Sequence, residues 1–147
     1  MSATAAQVER KQDQAPAIVA RGLTRRGRVL LVIGCGGDRD PHKRPVMGAI
    51  AARGADVAIL TNDNPRSEDP HAILAAIKEG AAASDGHATV EVVPDRKAAI
   101  DKAVGMAGPG DVVLVAGKGH EQGQEVAGEV HPFDDRTVLR AAIAAAR

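Results

Sequence analysis

The chain has 147 residues, 44% of them hydrophobic, which suits one globular domain and argues against disorder throughout. Nineteen Lys and Arg balance nineteen Asp and Glu, so no whole-molecule field gathers nucleic acid or an acidic membrane, and one Cys allows no internal disulfide. No apolar run approaches the roughly 20 residues of a membrane helix and residues 1–14 lack the apolar core of a secretion signal, so a cytoplasmic location is expected. Without Trp or Tyr and with Phe133 alone, recognition must rest on charges and backbone groups rather than on stacking.

Residues 1–16 are rich in Ala, Gln, Lys and Glu without sustained periodicity and read as a flexible tail or linker remnant, leaving 17–147 as the domain. The apolar run 29–33, ending at Gly34, has the pattern of a strand buried on both faces of a parallel sheet. Pro45 suits a first helical position, and Val46, Met47, Ile50 and Ala51 mark one face of a helix that stops near Gly54. A strand over 56–61 follows. Asp69-Pro70 then opens a helix with Ile73, Leu74 and Ile77 inward and Gly80 as its stop. A strand over 89–93, a helix over 95–106 and a buried strand over 111–116 continue the alternation. Around Gly128 the residues 124–126 and 129–131 predict a small hairpin, and Asp134 caps a last helix in which Phe133 and Val138 have the spacing of a hydrophobic staple. The fold class is therefore α/β: a doubly wound, mostly parallel Rossmann-like sheet with helices on both faces and a small C-terminal hairpin.

Three loops depart from generic turn composition, and each follows the end of a predicted strand: Gly34-Cys35-Gly36-Gly37-Asp38-Arg39-Asp40, Thr61-Asn62-Asp63-Asn64-Pro65-Arg66 and Gly117-Lys118-Gly119-His120-Glu121. In a parallel sheet these strand ends point the same way, so Arg39, Arg66 and Glu121 are expected in one crevice. Two guanidinium groups fork onto carboxylates and a Glu neutralises an ammonium, which implies a zwitterionic ligand. The competing assignment pairs Arg39 with Asp38 or Asp40, and Arg66 with Glu68 or Asp69, on the solvated surface. Neither nucleotide motif is in register: the third glycine of a dinucleotide loop is replaced by Arg39, and the phosphate loop fails at Val112 and Gly119. Lys118 and the glycine amides could still touch a phosphate. His120 suits an orienting role, since no second His or Cys stands at ligand spacing from it, and Cys35 reads as a small buried residue.

These loops, with Lys43-Arg44-Pro45 and the closing Phe133-Asp134-Asp135-Arg136, resemble the C-terminal, amino-acid-binding domain of the Mur ligases in their diaminopimelate-adding branch; the resemblance runs from about Arg28 to Ala146. It implies that Arg39, Asp63, Asn64, Pro65, Arg66, Gly117 and Glu121 bind meso-diaminopimelate, with Gly36, Gly37, Asp38, Lys118 and His120 in support. It also implies that Asp63-Asn64-Pro65-Arg66 selects diaminopimelate over lysine. Physically, lysine would leave Arg66 without its carboxylate, a mismatch that can discriminate by ~10⁴. By the same resemblance ATP and Mg²⁺, with the UDP-MurNAc-dipeptide, belong to other domains of a full-length ligase of peptidoglycan synthesis. This chain alone is then expected to bind no cofactor or metal, to hold no catalytic residue and to meet neither nucleic acid nor membrane. A separate ligase chain is the remaining partner, and a non-catalytic, partner-binding module of the same fold is the alternative function. The family's Tyr-Ala-His-Thr-Pro-like junction has no counterpart here beyond Gln12-Asp13-Gln14-Ala15-Pro16. The short spacing to Gly34 predicts an abbreviated first strand and helix.

Overall fold

The computed structural model describes residues 27–146, and 5–8 for their backbone. In chain order the elements are β1 (Ala5–Val8), β2 (Val29–Ile33), α1 (Lys43–Gly54), β3 (Val57–Leu60), α2 (Pro70–Ala83), β4 (Thr89–Val92), α3 (Arg96–Met106), β5 (Val112–Val115), β6 (Gly123–Val126), β7 (Glu129–Pro132) and α4 (Asp135–Ala145). The first five strands form one parallel sheet in the order β1-β5-β2-β3-β4, and β6 and β7 pair as an antiparallel hairpin.

Period-two alternation sorts the strand side chains onto two helical layers. Val29, Leu31 and Ile33 face one cluster with Ala58, Leu60, Val112 and Leu114, covered by Ala51 of α1, Ala55 just after it, and Ile73, Leu74 and Ile77 of α2. Leu30 and Val32 face the opposite cluster with Ile59, Val113 and Val115, covered by Ala99, Ile100 and Ala103 of α3 and Leu139 and Ala142 of α4. Burial on both faces explains why these strands are wholly apolar. After β2 the chain moves outward through β3 and β4, then returns to place β5 on the other side of β2. The loops leaving β2 and β5 therefore diverge, and this switch point opens a crevice at the carboxyl ends of the strands.

Three sequence expectations are corrected. Residues 5–8, assigned to a tail, form edge strand β1 against β5. Four residues carry too little pattern to reveal a strand, whereas the unpaired edge of β5 supplies a complete ladder of partners. The 16/17 domain boundary, Gln12-Asp13-Gln14-Ala15-Pro16 and the segment in which an abbreviated strand and helix were expected up to residue 26 lie outside the described residues. In α1 the buried face is Arg44, Gly48, Ala51 and Ala52, while Val46 is 56% exposed. The helix also begins at Lys43, two residues before Pro45. Finally, α2 runs past Gly80 to Ala83, because Gly80 serves a close helix crossing and not a stop. A Cβ there would strike the Pro45 backbone, and one on Gly48 the Ile77 carbonyl, so the two helices touch through their glycines. The two caps expected hold: Asp69 accepts from the His71 amide and Asp134 from Arg136; Asp95, read as the first residue of its helix, instead caps it, accepting from Ala98. Phe133 and Val138 both pack on the second cluster, as a staple requires.

Candidate functional site

The loops after β2, β3 and β5 enclose a cleft of about 720 Å³ lined by Arg39, Arg66 and Glu121 together, with Gly36, Asp63 and Gly117 between them. The surface pairs of the competing assignment do not form among the described residues: Arg39 makes no ion pair, and Arg66 meets Glu125 instead of Glu68 or Asp69. Glu68 binds Arg44 through Nη1 at 3.1 Å and Nη2 at 2.7 Å, Asp38 accepts from Ser67 Oγ at 2.6 Å, Asp40 accepts from the His42 amide at 3.0 Å, and Asp69 caps α2. Arg39 is exposed and donates only to the Asp38 carbonyl at 3.1 Å, with no ion pair among the described residues.

Arg66 is held in the left-handed region (φ 51), an uncommon state for a side-chain-bearing residue that its surroundings must impose. The hairpin imposes it. The Arg66 amide donates to the Glu125 carbonyl at 2.9 Å, the Ala127 amide donates to the Arg66 carbonyl at 2.8 Å, and Arg66 bridges Val126 as a single parallel rung. Its side chain donates to the Gly37 carbonyl at 2.9 Å and lies 3.3 Å from the Glu125 carboxylate. Loop one is locked to loop two as well: the Gly37 amide donates to the Asn64 carbonyl at 2.7 Å, and a Cβ on Gly37 would strike the Pro65 carbonyl.

Asn64 and Pro65, expected to touch the ligand, are absent from the lining, as are Gly37, Asp38, Lys118 and His120. Asn64 is turned inward. Its oxygen accepts from Lys118 Nζ at 3.1 Å and the Glu125 amide at 2.9 Å, and its Nδ2 donates to Glu121 Oε2 at 3.0 Å. Lys118, 1% exposed, buries its ammonium 3.6 Å from Asp63 and 3.8 Å from Glu121, and donates to the Gly123 carbonyl at 2.5 Å. Burial pushes its pKa below the usual lysine value, against the pull of Asp63. That ammonium is spent inside the protein and is not offered to a phosphate. His120 is exposed. Among the described residues no group of three or more His, Cys, Asp or Glu could hold a metal ion. With Lys118 enclosed and both glycine motifs out of register, neither phosphate-binding pattern is present among the described residues.

Sequence reasoning missed several members of the site. Cys35, Asp40, Lys43, Arg44 and Met47 complete the cleft wall. Gln124 donates from Nε2 to the Asp63 carbonyl at 2.7 Å, and Glu125 secures Arg66, so the hairpin is part of the site. Arg96 is enclosed beneath it, gripping the Asn62 carbonyl at 3.1 Å and the Ala116 carbonyl at 3.1 Å. An Arg at the first position of an otherwise amphipathic helix, over a cap it does not need, was the available signal for that buried role.

A family model described as Mur ligase, glutamate ligase domain, matches residues 14–119. The UDP-N-acetylmuramoyl-L-alanyl-D-glutamate--2,6-diaminopimelate ligase of Streptomyces coelicolor is 63% identical over 119 residues, covering 80% of this chain and 24% of the relative. The protein of the same name from Geobacillus kaustophilus is 56% identical over 124 residues, covering 84% and 24%. A solved structure of such a ligase superposes with a TM-score of 0.87 at 40% identity, covering 99% of this chain and 30% of that one. The chain thus spans about a quarter of the length of the curated relatives it matches. Matched in sequence over most of its length and in structure over nearly all of it, the chain belongs to the Mur ligase family.

Proposed function

We propose that this domain binds meso-diaminopimelate and presents its amino group for amide-bond formation with UDP-MurNAc-L-Ala-D-Glu during cytoplasmic peptidoglycan synthesis. The observation that carries the reading is the meeting of Arg39, Arg66 and Glu121 on one cleft. Arg39 and Arg66 take carboxylates, and Glu121 takes an ammonium. Charge-assisted hydrogen bonds are worth about 1.5–3 kcal/mol each, enough for two or three to dominate binding in a cleft without aromatic walls. Asp63 and the Gly117 backbone complete the polar lining, while Asn64, Pro65, Gly37, Asp38 and Lys118 set the wall from behind.

In this reading the domain contributes positioning. It holds the amine in line with a carboxylate activated elsewhere, and such alignment accounts for a large share of the barrier in a two-substrate reaction. ATP and Mg²⁺ chemistry belongs to the remainder of a full-length ligase. Calorimetric titration of the 147-residue chain with meso-diaminopimelate and with L-lysine tests the assignment. Binding near the millimolar range, about 4 kcal/mol, with diaminopimelate preferred, is expected. Equal affinity for the two, or none for either, would end it.

A further inference from the structure

We propose that Lys118 is a positioning residue of this cleft: it fixes which way the Asn64 amide faces and thereby holds Glu121 where it meets the ammonium of the incoming amino acid. The inference rests on reading the cleft as a diaminopimelate site.

The argument is one of donors and acceptors. An ammonium only donates, and so does a backbone amide. Lys118 Nζ and the Glu125 amide approach the same side of the Asn64 carboxamide, at 3.1 and 2.9 Å. Two donors on one side require the oxygen there, which leaves Nδ2 on the other, 3.0 Å from Glu121 Oε2. With Lys118 removed, only the Glu125 amide and Glu121 itself oppose a turn of the amide, and the ammonium that attracts Glu121 is lost. Turned, it would present its oxygen to the Glu121 carboxylate and repel it.

Lys118 also stands 3.6 Å from Asp63 and 3.8 Å from Glu121, the two acidic side chains between the arginines. Its positive charge is thus shared between the two carboxylates. An enclosed ammonium is a costly way to fill space that an apolar chain could occupy. The contacts that offset the cost all lead to loop two, the hairpin or Glu121, so the lysine ties the specificity loop to the ammonium-binding carboxylate.

The test compares the affinity of the chain for meso-diaminopimelate with that for each enantiomer of 2-aminopimelate, which lacks one of the two ammonium groups. Wild type should favour diaminopimelate over the more poorly bound enantiomer by about tenfold or more, one charge-assisted contact. Lys118→Met should bring that ratio close to one, and in a Glu121→Gln background it should leave the ratio unchanged. An equal fall for all ligands in K118M, or an unaltered ratio, overturns the proposal and assigns Lys118 a purely structural role. A crystal structure of K118M decides the same point without ligand: Glu121 is expected to leave Asn64, and its staying at hydrogen-bond distance of an unturned amide refutes the relay. If wild type binds none of these ligands, the amino-acid reading fails while this second arm still tests the positioning. Asn64→Asp covers a poorly folding K118M. It keeps an acceptor for Lys118 and the Glu125 amide yet faces Glu121 with a carboxylate, so it too should expel Glu121; retention there counts against the proposal.

Discussion

Arg96 and Asp135 form a two-pronged ion pair, Nε to Oδ1 and Nη2 to Oδ2 both at 2.7 Å, with neither side chain exposed at all. The remaining guanidinium donors take the carbonyls of Asn62 and Ala116, where loops two and three begin. Asp135, the first residue of α4, is thereby connected through Arg96 to two of the three loops that enclose the cleft. Breaking one side of such an enclosed pair strands a charge. Asp135→Ala should lower stability by about 3–5 kcal/mol, read from urea unfolding. Arg96→Met with Asp135→Leu should cost less than the sum of the single changes; strict additivity would show that the pair does not act as a unit.

Arg66 carries the expected discrimination between ligands. Arg66→Lys keeps the charge and discards the fork that spans the Gly37 carbonyl and the Glu125 side. Affinity for meso-diaminopimelate should fall by about tenfold to a hundredfold, the equivalent of one charge-assisted bond. Titration with L-lysine should change little, and a parallel loss for both ligands would place the selectivity elsewhere.

Gly37 marks the closest approach of loops one and two. Gly37→Ala has no room beside the Pro65 carbonyl, and the shift it forces would pull the Gly37 amide from Asn64. A cost of about 1–3 kcal/mol is expected, together with weaker diaminopimelate binding. Thermal unfolding within a degree of wild type would show that the loops have slack.

Acid should weaken the fold through identifiable carboxylates. Burial alone would raise Asp111, yet the Arg28 and Gly108 amides and the Arg28 guanidinium hold it below its ordinary 3.8. The Arg44 side chain and the Asp38 amide likewise hold Glu68 below 4.5. A carboxylate lowered by folding stabilises the native state above its unfolded pKa, and that stability disappears as pH falls through the folded value. Unfolding free energy should therefore be level above about pH 5 and decline below about pH 4. Asp111→Asn should flatten the decline, which a urea series across this pH range would detect; an unaltered slope would remove Asp111 from the account.

Much of this was legible in the sequence for a physical reason. Strands enclosed on two faces must be continuously apolar, so 29–33 and 111–116 stood out, and Asp caps followed by Pro or by an apolar period fixed α2 and α4. The convergence of Arg39, Arg66 and Glu121 followed from parallel strand direction alone. What stayed hidden depends on distant partners. Nothing local to Asn64 says that its amide faces Lys118, nothing near Gly80 distinguishes a helix stop from a helix crossing, and four residues at 5–8 cannot announce a strand whose ladder is supplied by β5. The exposed Val46 misled because a small glycine at 48 outweighed it in choosing the packed face.

The ribbon formed by β6 and β7 adds no side chain to either apolar cluster, yet it secures Arg66 by two main-chain bonds and by Glu125. The aim of the Arg66 side chain is thus adjustable from outside the strand-end loops. Lengthening or shortening the ribbon by one residue would re-aim the arginine while the sheet beneath kept its packing, so this wall of the cleft can vary without touching what holds the fold together.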